Sequence, residues 1–113
     1  MPHNPVWSWK EDVLAMDLYV ARGLHQGAPL LPNSDPEVIA LSELLKKFPI
    51  QGLRLANYRN PNGVARKLGN FRAVQVPGTG SPNHAGMDAR IWAEFKDDLP
   101  RLRRVAADIR KSV

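Results

Sequence analysis

Hydrophobic residues recur at helical spacing in five segments of the chain, and each segment is bounded by proline, glycine or a polar capping residue. In the first, Ser8 and Glu11 have the spacing of a capping box, and apolar positions continue to about Gly23. The second begins with the cap Asp35-Pro36 and ends at Pro49. The predicted core positions of these two helices are Trp9, Val13, Met16, Val20, Val38, Leu41, Leu45 and Phe48, flanked by Leu14, Leu18 and Leu44.

Three more helices are predicted in the C-terminal half. Asn60-Pro61 starts a helix over 61–74, and Asp98-Leu99-Pro100 separates the fourth helix from the fifth. Segments 26–34 and 77–82 are loops by composition, and 50–60 is predicted to be irregular although Leu53 and Leu55 alternate with Arg54. The pattern predicts an all-α fold of about five helices in a single domain, residues 1–113. The core positions of the last three helices are Val64, Leu68, Phe71, Met87, Ile91, Trp92, Phe95, Leu102, Val105, Ala106 and Ile109.

Composition narrows the class of protein. A chain of 113 residues that is 43% hydrophobic can bury one core. It contains no cysteine, which excludes disulfides and cysteine-ligated zinc, and no window approaches the roughly 18 apolar residues that span a bilayer. We therefore expect a cytoplasmic protein that does not enter the membrane.

The distribution of charge points to a polyanion as partner. The net charge is +5, and the stretch from Leu44 to Met87 has no aspartate or glutamate although all 11 acidic residues of the chain lie on either side of it. We call this stretch the acid-free segment. Its cations are Lys46, Lys47, Arg54, Arg59, Arg66, Lys67 and Arg72. Such a block predicts a positive surface, and nucleic acid is the first candidate for its ligand.

The third predicted helix lies inside the acid-free segment. With Val64, Leu68 and Phe71 toward the core, the opposite face is small, polar and positive. Arginine and asparagine can each form paired hydrogen bonds with base edges in the major groove, so this face has the chemistry of a DNA reader. A solvated amphipathic helix is the alternative interpretation. The face consists of Asn62, Arg66, Gly69 and Asn70, with Gly63 at one edge and Lys67 and Arg72 on the flanks.

Two phrases resemble a known family. Trp9-Lys10-Glu11-Asp12, and the run from Arg59 to Phe71 that reads RNPNGVARKLGNF, resemble the N-terminal head domain of ScoMcrA-like, modification-dependent HNH restriction endonucleases. More distantly, the pattern is similar to Myb/SANT-type readers, whose third helix enters the major groove. The resemblance implies a three-helix, helix-turn-helix-like core plus two C-terminal helices. It also implies that recognition of a modified base and cleavage belong to other modules of a parent nuclease.

Catalytic chemistry has little support in the sequence. His3, His25 and His84 have spacings that match no metal motif, and Asp97-Asp98 is better explained as a helix cap. We expect no catalytic residue, metal or cofactor. Among the tryptophans, only Trp7 is left open as a stacking residue, because Trp9 and Trp92 fall on core faces.

Asp17 is the unusual residue of the first helix. It projects among apolar side chains, where a bare carboxylate is costly, so it requires a partner. Arg59 and Lys67 are the predicted donors.

Two functions remain from the sequence, with RNA binding as a weaker third. The first is a non-catalytic module of a modification-dependent restriction endonuclease that binds double-stranded DNA, modified or unmodified. The alternative is a protein-interaction domain that docks an acidic partner or another domain of the same enzyme, for which an exposed apolar patch would be the sign. The predicted DNA contacts are Lys46, Lys47, Arg54, Arg59, Asn62, Gly63, Arg66, Lys67, Asn70 and Arg72.

Overall fold

One helix, α1 (Trp9–Ala21), lies at the centre of the fold. It packs against each of the other four helices, α2 (Pro36–Leu45), α3 (Pro61–Gln75), α4 (Gly86–Phe95) and α5 (Leu99–Lys111). The computed structural model describes residues 4–49, 52, 54–77 and 86–113, and this part of the chain contains no strand. The radius of gyration is 13.3 Å, close to the value of about 13 Å for a compact domain of this size. The predicted all-α fold of five helices in one globule is confirmed.

The helices begin where capping chemistry predicts. The Ser8 side chain accepts from the backbone N–H of Glu11, and the Glu11 carboxylate accepts from the N–H of Ser8 at 2.9 Å. This is the predicted capping box, which satisfies two otherwise unpaired donors of the first turn. α3 ends at Gln75, one residue beyond the prediction. The other N-caps are Asp35 for α2, Asn60 for α3 and Asp98 for α5.

α1 is buried on all sides, not on one face as the sequence pattern predicted. Every residue from Glu11 to Tyr19 is buried, because four helices surround this part of α1, whereas both of its ends are exposed. The prediction that Trp9 lies in the core is wrong. It sits in the first turn, 37% exposed, with its ring 6.1 Å from that of Phe95. Trp92 is half-buried and meets the Tyr19 ring edge-on.

The connection between α2 and α3 is irregular where it is described, as predicted, and ends in a turn over 56–59. Arg59 closes that turn with a φ of 47°, in the left-handed region that residues other than glycine rarely occupy. Several sequence expectations fall on residues that the structure does not describe. These are Leu53, the Gly78-Thr79-Gly80 loop, His3 and His84.

Candidate nucleic-acid interface

Arg59, a predicted phosphate contact, lies in the interior. Its side chain is 3% exposed and the Glu11 carboxylate is fully buried. Arg59 Nε donates to Glu11 Oε2 at 2.6 Å, and its terminal nitrogens donate to Glu11 Oε1 and to the carbonyls of Pro5 and Val6. The guanidinium thus fastens the segment before α1 to the turn before α3. These contacts commit the guanidinium to the fold.

Lys67, another predicted contact, is also buried. Its Nζ lies 3.0 Å from Asp88 Oδ1 and 3.3 Å from Asp12 Oδ1, and both carboxylates are fully buried. Burial, followed by the neighbouring carboxyl of Asp88, raises the pKa of Asp12 to about 8. Asp12 therefore holds a proton near neutral pH, which leaves one carboxylate charge of this pair opposite the single charge of Lys67.

Asp17 has the partner that its apolar surroundings require, but not the predicted one. Arg103 Nη1 donates to Asp17 Oδ1 at 3.2 Å, and Arg110 Nη1 donates to Asp17 Oδ2 at 2.9 Å. The prediction of Arg59 or Lys67 is wrong because α5, not the start of α3, covers this side of α1.

The acidic residues of α1 explain much of the acid-free segment. Glu11 and Asp12 are buried on the central helix and are contacted by Arg59 and Lys67 from that segment, and Lys67 also pairs with the buried Asp88. An uncompensated buried carboxylate is strongly destabilising, so these cations serve the fold first. From the sequence, a partner was predicted for the carboxylate of Asp17 but not for those of Glu11 and Asp12. The sequence signal that could have predicted their burial is the presence of apolar residues on every side of this helix.

The outward face of α3 is narrower than predicted. Gly69 is buried beneath the loop after α1, since a Cβ added there would lie 3.8 Å from Leu30 Cδ1. Asn70 is half-buried, and its buried Oδ1 has no hydrogen-bond partner among the described residues. Arg72 is half-buried and donates to the carbonyls of Leu24 and Ala28. The prediction that Gly69 faces solvent is wrong, and Arg72 is used to hold the loop against α3.

Five predicted residues remain exposed where α2 and α3 meet. Arg54 donates to the carbonyls of Lys46 and Phe48, which fixes it beside the C-terminal end of α2. The Ser42 hydroxyl donates to the Arg59 carbonyl at 2.6 Å, which joins α2 to the turn before α3. The nearby acid Glu43 pairs with Lys46 at 3.4 Å. We call this the α2–α3 surface; it comprises Lys46, Lys47, Arg54, Asn62 and Arg66.

A cleft of about 270 Å³ opens beside the first turn of α3, and no carboxylate side chain lines it among the described residues. We call it the α3 cleft. Asn62 Oδ1 accepts from Asn33 Nδ2 at 3.1 Å, so the Asn62 amide nitrogen is left as a donor. Arg66 is exposed and has no carboxylate partner in the described part of the chain. The helix dipole adds positive potential at this end of α3. The lining residues are Asn4, Pro5, Trp7, Asn57, Arg59, Asn60, Asn62, Gly63 and Arg66.

Trp7, left open as a stacking residue, contacts two buried cations. Its ring centroid is 5.1 Å from the Arg59 guanidinium carbon and 4.9 Å from Lys67 Nζ. The ring is half-buried and packs on the core. Its contacts indicate that it holds these cations in place at the edge of the α3 cleft.

Comparisons with models of protein families, with curated proteins and with solved structures give no match to this chain. Within the described residues, no group of three or more histidine, cysteine, aspartate or glutamate side chains is placed to hold a metal ion. No helix in that part of the chain is long and apolar enough to cross a bilayer.

Proposed function

We propose that this chain is a non-catalytic module that binds double-stranded DNA through the α2–α3 surface, with a phosphate received at the α3 cleft. The observation that carries the proposal is the α3 cleft itself. Amide donors, the exposed Arg66 and the N-terminal end of a 15-residue helix converge there without a lining carboxylate. Helix N-termini attract phosphate through their dipole, although here Asn60 Oδ1 already accepts from the Gly63 N–H at 2.8 Å, and most protein–DNA hydrogen bonds go to the DNA backbone.

The contact set differs from the one predicted from sequence. Lys46, Lys47, Arg54 and Arg66 supply the exposed positive charge, and Asn62 and Gly63 lie at the cleft. Arg59, Lys67 and Arg72 are instead committed to contacts within the fold. The role of the module within a modification-dependent restriction endonuclease rests on the sequence resemblance. In that setting a neighbouring module would read the modification and an HNH nuclease would cut, while this one adds affinity by tethering.

Binding should depend on salt. Four exposed cations on phosphates predict a slope of about −3.6 for log K against log salt concentration. Arg66→Ala should weaken binding to every duplex sequence and reduce the slope by about 1. Arg90→Ala, the matched control, removes one exposed charge from α4 and should bind like the parent. Fluorescence anisotropy with modified and unmodified duplexes, between about 50 and 200 mM salt, measures both quantities.

Two outcomes would contradict the proposal. An affinity for DNA that does not change with salt concentration would show that binding is not electrostatic. Equal losses in Arg66→Ala and Arg90→Ala would show a general attraction between charges instead of contact at the α3 cleft.

The alternative, a domain that docks another protein, is favoured by a separate feature. A groove with an apolar part lies between α1, α2 and α5, outside the acid-free segment except for Leu44.

A further inference from the structure

The groove between α1, α2 and α5 has a volume of about 580 Å³. α1 forms its floor, and α2 and α5 form its walls. These two helices are fully described, and they do not pack against one another. The lining residues are Asp17, Leu18 and Ala21 from α1, Glu37, Ala40, Leu41 and Leu44 from α2, and Arg103, Ala107 and Arg110 from α5.

Small side chains keep this groove open. Ala21, Ala40 and Ala107 line it from three different helices, and each is exposed. Larger side chains at these positions would close the gap between α2 and α5. Leu18 of α1 and Leu41 of α2 are 5% exposed each and give the groove an apolar part beside the buried carboxylate of Asp17.

The groove has the dimensions of a helix-binding site. Arg103, Ala107 and Arg110 follow one face of α5 over two turns, which is about 10.5 Å along the axis. Glu37, Ala40 and Leu44 do the same on α2. Each wall therefore presents side chains over the length on which the apolar residues of a bound helix recur at i, i+4 and i+7.

The exposed charge of the groove is asymmetric. The side chains of Arg103 and Arg110 are 67% and 42% exposed, whereas Asp17, which they share, is 3% exposed. Two guanidinium groups thus reach solvent along α5, and the single buried carboxylate of Asp17 offsets only one of their two charges. On the opposite wall, Glu37 is 57% exposed and pairs at 2.9 Å with Arg22, which Asp35 shares, and the remaining lining of α2 is apolar.

We propose that this groove binds an acidic amphipathic helix of a partner protein. The apolar side chains of that helix would lie on Leu18, Leu41 and Leu44. Carboxylates on its flank, two turns apart, would meet Arg103 and Arg110. Charge complementarity with Arg103 and Arg110 favours carboxylates over lysines on the flank of the helix that faces α5. This inference is independent of DNA binding at the α3 cleft.

A designed peptide tests the proposal directly. The probe is a helix of about 14 residues with leucines at i, i+4 and i+7 and glutamates seven residues apart on one flank. A second peptide carries lysine in place of those glutamates. Binding is measured by anisotropy and mapped by amide chemical shifts, and the expected result is that the glutamate peptide binds with shifts confined to α1, α2 and α5.

Variants of the chain distinguish binding in the groove from non-specific attraction between charges. Ala40→Trp and Ala107→Trp fill the groove from opposite walls without removing an ion pair, and each should weaken the glutamate peptide by about tenfold or more. Ala89→Trp adds the same side chain at an exposed position of α4 and should have no effect. Arg104→Ala, beside the groove, controls for net charge.

The proposal is overturned if the glutamate peptide does not bind at about 1 mM, if the lysine peptide binds equally well, or if both filling variants bind like the parent. Displacement of the peptide by duplex DNA would also overturn it, because the groove would then be a nucleic-acid site. Arg66→Ala should leave peptide binding unchanged, so failure here is distinguishable from failure of the DNA-binding proposal.

Discussion

The guanidinium of Arg59 makes four hydrogen bonds inside the protein, and it makes them from a residue whose backbone is left-handed. A non-glycine residue in that region costs about 1–2 kcal/mol, and such a conformation persists only where the surroundings fix it. Here the bonds to Glu11, Pro5 and Val6 fix the side chain, while Ser42 holds the carbonyl. The strain is explained by the need to deliver a charge to a buried acid.

Arg59→Ala should therefore destabilise the fold by about 3–5 kcal/mol, because it leaves the Glu11 carboxylate buried without a counter-charge. Arg66→Ala removes the same side chain from the exposed side of α3 and should change the free energy of unfolding by less than about 0.5 kcal/mol. Denaturant unfolding followed by circular dichroism compares the two. A small effect of Arg59→Ala would show that its guanidinium is not committed to the interior, and would restore it as a candidate DNA contact.

The carboxyl of Asp12 links stability to pH. Its ordinary pKa of 3.8 is raised to about 8 in the fold by burial and by the neighbouring Asp88. Between these values the folded state binds a proton that the unfolded chain lacks. The contribution of Asp12 to stability should therefore be greatest at the acidic end of this window, fall as pH rises by up to about 1.4 kcal/mol per pH unit, and level off above pH 8.

Asp12→Asn should flatten that decline, because an amide cannot lose a proton and Lys67 retains Asp88 as its partner. The variant should gain stability relative to the parent as pH rises toward 8. Asp108→Asn, an exposed change on α5, is the matched control and should leave the pH profile unaltered. The free energy of unfolding of the parent and of both variants is compared at about pH 5, 7 and 9. If the decline persists in Asp12→Asn, another group is responsible for it.

At the scale of the elements, the sequence predicts where the helices begin, because capping is local. It does not predict which faces of a helix are covered by the other helices. Ser8, Asp35, Asn60 and Asp98 cap the helices that their sequence positions predict, since a cap depends on bonds within one turn. The exposure of α1 depends on how many other helices surround it. Its apolar positions alone could not show that Glu11 and Asp12 are buried as well.

For α3, too, the sequence predicts the buried positions but not the whole of the exposed face. Its core positions Val64, Leu68 and Phe71 are fully buried as the period predicts. The outward face could not be predicted in full, because the loop after α1 folds over Gly69 and takes Arg72 as a donor. A segment that is distant in sequence thus decides which polar residues remain available for DNA. Asn62 and Arg66, near the start of α3, remain exposed.

Across the whole molecule, the buried ion pairs leave the surplus positive charge for the surface. The four buried acids are contacted by four cations, and one of these acids, Asp12, holds a proton near neutral pH, so the interior does not reduce the excess of positive charge. The cations that take part are Arg59, Lys67, Arg103 and Arg110. The cations that contact the buried acids thus come from both the acid-free segment and α5. A basic surface is compatible with either proposed partner, and this is why each proposal rests on the shape of its own site.

The last prediction concerns α5. It supplies Leu102, Ala106 and Ile109 to the core and both counter-charges to Asp17, so it is part of the same cooperative unit as α1. A chain ending at Asp98 would expose the apolar side of α1 and leave Asp17 unpaired, and each loss is comparable with the stability of a small domain. We expect this truncated chain to lack a cooperative unfolding transition.

A chain ending at Lys111, which loses only the exposed Ser112 and Val113, should unfold like the full chain. Thermal unfolding followed by far-ultraviolet circular dichroism and by tryptophan fluorescence makes the comparison. Addition of a peptide covering 99–113 to the shorter chain should restore the transition. A cooperative transition of the shorter chain on its own would instead define a separable core of four helices, with α5 as an appendage.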